Sequence, residues 1–309
     1  MTELKKQAKS ERNSVLEILR LCASLWVMYY HGLSLFARTE AFRNGRIAVD
    51  FFFLLSGFFF IVTYQKEENQ AFFKGLGSFI WKRFKPLMWT FIICMVFSII
   101  HYIQFYEGFL QTSIWGYLWY IPHLMIVFSC YYTLRRLIKR KIAFNITTML
   151  AVLISTILIL TGVTDYGVVR GIAGVGYGIL ISQIPTIWKY KAGKIISVSL
   201  TIFSFSIITI LAIIHPAVII QDCLCLIILF PAIIYFAGQI PFSNKVINAI
   251  CSISFGLYAY QTVTRVFESN EIITSHLYMF LIVLALAIID RLVIYLVKKK
   301  SIPNKAQHQ

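Results

Sequence analysis

Long apolar segments are the feature of this sequence that most restricts its fold. Ten stretches are nearly free of charge, and each is about 20 residues long, the length at which an α-helix crosses a hydrocarbon core of roughly 30 Å. The unalternating runs of Ile, Leu and Phe argue against a transmembrane β-barrel, which needs alternating strands. The predicted spans are 14–36, 46–64, 86–104, 114–133, 146–164, 167–187, 195–214, 216–236, 246–266 and 275–297.

The composition agrees with a membrane protein. Hydrophobic residues make up 59% of the 309 residues, charged residues only 14%, and the mean hydropathy is +0.75. A soluble domain could not cover its surface from such a composition. We therefore predict an all-α fold, a polytopic transmembrane bundle of about ten helices. We expect one membrane domain over residues 1–309, with cytoplasmic tails at 1–13 and 298–309.

The net charge of +16 does not call for a nucleic acid partner, because of where the charges lie. Most of the 29 Lys and Arg fall in the two termini and in every second loop between the predicted spans. This asymmetry is the positive-inside rule, which predicts that both termini are cytoplasmic. The six cysteines all fall in apolar spans, where a thiol acts as a small hydrophobe, and we expect no metal site.

The first span carries two polar residues that are costly in a membrane, Arg20 and His31. In a regular α-helix the eleven steps between them come to about three full turns, which would place both on one face, roughly 16 Å apart along the axis. Such a face would line the bundle interior or a water-filled cavity, and Glu17 is close enough to neutralise Arg20. The alternative is that Arg20 only pairs with Glu17 while His31 hydrogen-bonds in the outer interface.

Asp50, at the start of the second span, lies at about the depth that His31 occupies in the first. Its carboxylate could fix the tautomer of the His31 imidazole and raise its basicity, as a general base requires. The alternative is an acid favoured there by the helix dipole. We interpret Ser56 and Gly57 as small residues for close helix packing rather than as a serine nucleophile and its neighbour.

Arg20 and His31, with ten residues between them, together with the stretch "VDFFFLLSGF", resemble the opening of the acyltransferase-3 family of integral-membrane O-acyltransferases. The segments "WKRFKPLMW", "LWYIPHL" and "SISFGLYAYQ" are similar to later motifs of that family. The resemblance implies that His31 is the catalytic histidine, that Arg20 is a partner on the acyl-coenzyme A path and that the protein sits in the plasma or inner membrane of a bacterium. The chain departs from many members by carrying Gln261 where they have a late histidine, and a glutamine cannot act as a base.

Two basic clusters suggest where substrates bind. Lys82, Arg83 and Lys85, before the third span, could receive the phosphates of coenzyme A, although anionic lipid headgroups would attract them equally. The first outer loop breaks the charge rule, and its basic residues could form a rim for an acidic acceptor or simply be solvated. These outer residues are Arg38, Arg43 and Arg46.

Other polar and aromatic residues of the spans have less specific expected roles. Trp119 and Tyr120 lie on the predicted acceptor side, where interfacial aromatics are also common. The remaining embedded charges are expected to hold the bundle together, and because Asp290 and Arg291 are adjacent in sequence we expect them to point apart. These charges are Asp222, Arg265, Asp290 and Arg291.

The leading prediction is an O-acyltransferase that moves acetyl from cytoplasmic acetyl-coenzyme A to a hydroxyl of a cell-surface or lipid-linked glycan, with His31 as the base. No permanently bound cofactor is expected, since acyl-coenzyme A would be a substrate. A partnership with polysaccharide biosynthesis machinery would fit this role. The alternatives are a transporter or flippase for a lipid-linked saccharide, which predicts inverted repeats that the sequence does not display, and a noncatalytic tether for a glycan synthase.

Overall fold

The computed structural model describes residues 12–33, 44–105, 118–163, 167–185, 191–214, 218–263 and 276–300. Every regular element in these ranges is helical, which confirms the predicted all-α class. Each predicted span overlaps at least one helix. Four helices of the described part are long and apolar enough to cross a membrane: Lys141–Leu160, Gly193–Ile214, Ile220–Gly238 and Lys245–Val263.

The helices of the described residues are numbered in chain order. They are α1 (Ser14–Met28), α2 (Gly45–Phe58), α3 (Phe60–Tyr64), α4 (Phe72–Phe84), α5 (Met88–Phe105), α6 (Tyr120–Leu137), α7 (Lys141–Leu160), α8 (Gly167–Ile181), α9 (Lys191–Ile214), α10 (Val218–Cys223), α11 (Phe230–Gly238), α12 (Lys245–Cys251), α13 (Ser254–Ala259) and α14 (His276–Lys300). Two π-helical turns, Tyr29–Leu33 and Leu224–Leu229, extend α1 and join α10 to α11.

Helix α1 starts where the sequence predicted the first span. The side chain of Asn13 caps it by accepting hydrogen bonds from the backbone N–H groups of Val15 and Leu16, at 2.9 and 3.2 Å. The same amide donates to the carbonyls of Ala237 and Ile240, so the start of α1 is tied to the end of α11. The predicted regular α-helix was wrong at residues 29–33, which form the π-helical turn, and residues 34–36 of the predicted span lie outside the described residues.

The centre of the bundle is the contact between α2 and α8, which glycines make unusually close. A Cβ atom on Gly57 would lie 2.1 Å from the carbonyl oxygen of Val175, and one on Gly178 would lie 2.0 Å from that of Leu54. Backbones that approach this closely leave no room for a side chain. The prediction that Gly57 serves close helix packing is confirmed.

The chain bends sharply before the third predicted span. Helices α4 and α5 meet at an angle of 72° across residues 85–87, where Pro86 cannot continue a regular helix. Helix α4 was not predicted as a separate element. It packs on α6 through buried Phe79, while Phe73 and Trp81 are exposed on its other side.

Candidate active site

Arg20 lies on α1 beside the acid that the sequence assigned to it. Its Nη1 atom donates to both carboxylate oxygens of Glu17, at 3.1 and 3.0 Å, which confirms the predicted pair. The Arg20 side chain is 34% exposed, so the ion pair does not enclose it completely.

His31 is held in the π-helical turn that ends α1. The residue is half-buried, and its ring contacts that of Tyr30 edge-on, with the ring centroids 4.7 Å apart. Hydrogen bonds in a π-helix connect i to i+5, so the 100° step of the α-helix no longer applies from Tyr29 onward. The common face of Arg20 and His31 therefore stays a prediction. Single π turns of this kind frequently occur at functional sites.

The turn that carries His31 packs against the start of α2. A Cβ atom on Gly45 would lie 2.4 Å from the Cβ of Tyr30, so only glycine allows this approach. Asp50 lies five residues further along α2, on the second turn of the same helix. The π-helical turn with His31 and the first turns of α2, which carry Asp50, are therefore neighbours. A hydrogen bond between the His31 and Asp50 side chains stays a prediction.

The Asp50 carboxylate is bound by an arginine that the sequence analysis did not single out. Arg170 of α8 donates from Nε to Oδ1 of Asp50 at 3.0 Å and from Nη2 to Oδ2. Both side chains are only 1% exposed. This is a two-point contact, which fixes both the position and the plane of the carboxylate.

Two more charges extend this pair into a cluster of four. Asp222 of α10 has its Oδ2 atom 3.9 Å from Nη1 of Arg170 and 3.4 Å from Nη2 of Arg46. Two arginines and two aspartates from three helices thus meet near the ends of those helices that the charge rule predicts to face outside. We refer to Arg46, Asp50, Arg170 and Asp222 as the outer charge cluster.

Arg46 is therefore more than a residue of an outer loop. It belongs to the first turn of α2, and its guanidinium pairs with Asp222, although about a third of the side chain is exposed. Its expected role on the acceptor rim stays a prediction, as do those of Arg38 and Arg43, which lie outside the described residues.

An aromatic layer lies at the start of α6. The hydroxyls of Tyr120 and Ser56 are 3.1 Å apart, and the Tyr120 ring packs on Phe53 and Tyr258 at centroid distances of 4.6 and 6.0 Å. Ser56 is thus hydrogen-bonded to a tyrosine of a neighbouring helix. Trp119 is half-buried, and its ring packs so closely on Gly167 that it would overlap a Cβ atom there.

The predicted donor-binding cluster lies at the other end of the bundle. Lys82 forms an ion pair with the buried carboxylate of Glu67, and that hydrogen bond holds the pKa of Glu67 below its usual value. The Arg83 guanidinium stacks on Phe79 and Phe128, 3.6 and 4.5 Å from the ring centroids. Lys85 follows α4 and is exposed. Lys82, one of the three basic residues expected to bind the phosphates of coenzyme A, is thus already paired with Glu67.

The comparison with known families decides the identity of the chain. The sequence model of an acyltransferase domain, that of the acyltransferase-3 family, matches residues 13–294. The chain belongs to this family. It is a membrane acyltransferase. Neither the curated proteins nor the solved structures gave a significant match to it.

Gln261, where this acyltransferase departs from the late-histidine pattern, is buried just after α13. Its side-chain amide donates to the carbonyl of Leu257 at 3.0 Å, a contact within its own helical segment. Among the described residues, no group of three or more His, Cys, Asp or Glu is arranged to bind a metal ion.

The late embedded charges differ from expectation. Asp290 accepts a hydrogen bond from Thr90 of α5 at 3.0 Å, which links α14 to α5. The prediction that Asp290 and Arg291 point apart was wrong, because Nη2 of Arg291 lies 3.8 Å from Oδ2 of Asp290. Arginine is long enough to fold back along the helix surface to its neighbour. Arg265 lies outside the described residues.

Arg170 is the functional candidate that sequence reasoning missed. It is the one charged residue within the predicted span 167–187, and an arginine inside a membrane is by itself a reason to suspect function. The position of Arg170 within an apolar span is visible in the sequence. The identity of its partner is not, because Asp50 lies 120 residues earlier in the chain.

Proposed function

We propose that this acyltransferase transfers an acetyl group from acetyl-coenzyme A to a hydroxyl of a cell-surface or lipid-linked glycan, with His31 as general base. Neutral His31 takes the proton from the acceptor hydroxyl as its oxygen attacks the thioester carbonyl. The coenzyme A thiolate then leaves and receives a proton from the imidazolium. A covalent acyl-histidine would divide the same transfer into two steps.

The observation that carries this proposal is the position of His31 within the family match. His31 lies on a non-α turn packed against the start of α2, the helix whose buried Asp50 is fixed by Arg170. A base needs both a defined orientation and a nearby charge that stabilises its protonated form. This arrangement supports a proton-transfer role for the outer end of α1.

The two substrates would approach from opposite sides of the membrane. The basic residues Lys82, Arg83 and Lys85 lie at the end predicted to be cytoplasmic, and His31 near the end predicted to face outside. Arg20 lies on α1 between them, eleven positions before His31 in the chain. The extended arm of coenzyme A would pass Arg20 and present its thioester beside His31, while the glycan arrives from outside.

The proposal is tested with the purified full-length protein in detergent. We expect release of the free coenzyme A thiol from acetyl-coenzyme A, accelerated by a glycan acceptor and accompanied by transfer of labelled acetyl to that acceptor. A folded protein that turns over neither acetyl-coenzyme A nor a longer acyl-coenzyme A, yet moves lipid-linked saccharide across vesicles, would instead support the transporter alternative.

Arg20→Ala is expected to raise the KM for acyl-coenzyme A by about tenfold or more, because a charge-assisted hydrogen bond to the donor is lost. Arg20→Lys should recover only part of that affinity, since lysine offers a point charge without the planar fork of donors. Initial-rate measurements over a range of donor concentrations give KM and kcat separately.

Glu17→Gln is the matched control for Arg20, because it removes the partner and keeps the guanidinium. Its KM should stay closer to the wild-type value than that of Arg20→Ala. If all three variants bind the donor as the wild type does, Arg20 has a structural role only.

A further inference from the structure

The outer charge cluster is more elaborate than helix association requires. Its formal charges cancel, since the two aspartates balance the two arginines. A buried ion pair is nevertheless a poor way to stabilise a bundle, because the loss of hydration offsets the attraction and apolar residues of similar size often serve as well. The retention of a fully buried Asp50–Arg170 pair therefore needs a reason beyond packing.

Arg170 is held so that its guanidinium has little freedom to move. It lies in the first turn of α8, next to Gly171, where an added Cβ would fall 2.9 Å from a methyl group of Val127. One helical turn on, an added Cβ at Gly174 would lie 2.7 Å from the Cβ of Phe53. Because α8 is locked against α2 in this way, Arg170 meets Asp50 in a fixed direction.

The two-point contact also leaves Asp50 able to accept further hydrogen bonds. A carboxylate has about four acceptor positions, and Arg170 uses one on each oxygen. The remaining positions suit an imidazole N–H, and the turn with His31 is packed against the start of the same helix. Arg170 orients the carboxylate and favours its ionised form without using all of its acceptor capacity.

We propose that Arg170 is a positioning residue for acyl transfer, whose two-point contact fixes the Asp50 carboxylate so that Asp50 orients and supports His31. This inference rests on the proposed function, because it assigns Arg170 a role in the proton transfer at His31. Asp222 and Arg46 complete the charge balance around Arg170 from a second side.

The test separates an orienting role from a merely structural one by removing both charges of the pair together. Arg170→Gln alone leaves the Asp50 charge buried without its partner and should reduce both folded yield and activity. In the double variant Arg170→Gln with Asp50→Asn, two amides can hydrogen-bond, so folded yield and thermal stability should recover. Its kcat should nevertheless stay about 100-fold or more below the wild type, with KM for acetyl-coenzyme A little changed.

Asp290→Asn with Arg291→Gln is the matched control, because it neutralises another embedded Asp–Arg pair. This control should keep kcat within a few-fold of the wild type. A double variant at 50 and 170 that recovers wild-type kcat along with its fold would overturn the proposal. A wild-type protein with no acyl-transfer activity would instead overturn the proposed function itself.

Arg170→Lys keeps the proposal testable should the neutral variants fold poorly. Lysine retains the charge that balances Asp50 but replaces the planar fork by a single ammonium group. We expect a folded protein with kcat lowered about tenfold or more and KM unchanged, since an orientation is lost and a charge is kept. Wild-type kcat in this variant would show that the two-point geometry is not needed.

Discussion

Replacing His31 with alanine is expected to lower acyl transfer by about two to four orders of magnitude, the contribution of a well-placed general base. The fold should be nearly unaffected, because His31 is half-buried in a terminal turn and contributes little to packing. The rate of coenzyme A release and of acetyl transfer measures the first effect. Thermal unfolding in the same detergent measures the second.

His123→Ala is the control for this prediction. His123 also lies on a described helix, where its Nδ1 atom bonds the Trp119 carbonyl one turn earlier, and nothing assigns it to the reaction. We expect its activity to stay within a few-fold of the wild type. Near-normal acetylation by a folded His31→Ala variant would remove His31 from the mechanism.

Several local features could be predicted because neighbouring residues determine them. The start of α1 follows from where the first apolar segment begins, and the Glu17–Arg20 pair from the spacing of three residues on a helix. The motif around His31 identified the family that the comparison then established over residues 13–294. These features could be predicted because each depends on residues within one helix or on a sequence motif of one family.

Features that depend on which helices meet could not be predicted in the same way. Asp50, Arg170 and Asp222 come from three separate spans, and a single sequence does not say which spans are neighbours. The π-helical turn at His31 has no distinctive pattern of charges or small residues, so the sequence alone predicts a regular helix there. The ion pair between Glu67 and Lys82 likewise depends on how the turn over residues 65–71 folds back beside α4.

Gly178→Ala is expected to destabilise the protein more than a glycine-to-alanine substitution at any other position of α8. The new Cβ would lie 2.0 Å from the Leu54 carbonyl oxygen, 2.5 Å from the Phe58 nitrogen and 2.8 Å from the Gly57 carbonyl carbon. All three are backbone atoms of α2, so no rotamer change can relieve the overlap and the two helices must separate. Overpacking of this kind costs about 1–3 kcal/mol or more.

That separation should also reach the candidate site, because Arg170 lies on the same helix roughly 12 Å from Gly178 and bonds Asp50 across the same contact. Activity should therefore fall together with the midpoint of thermal unfolding. Gly77→Ala is the matched control on α4: nothing lies within 4 Å of its added Cβ, and replacing a helical glycine stabilises by about 0.5–1 kcal/mol. Unfolding scans at one heating rate should thus move the two midpoints in opposite directions. An unchanged midpoint and rate in Gly178→Ala would mean that α2 and α8 are not packed backbone to backbone, and the fixed geometry of Asp50 and Arg170 would lose its support.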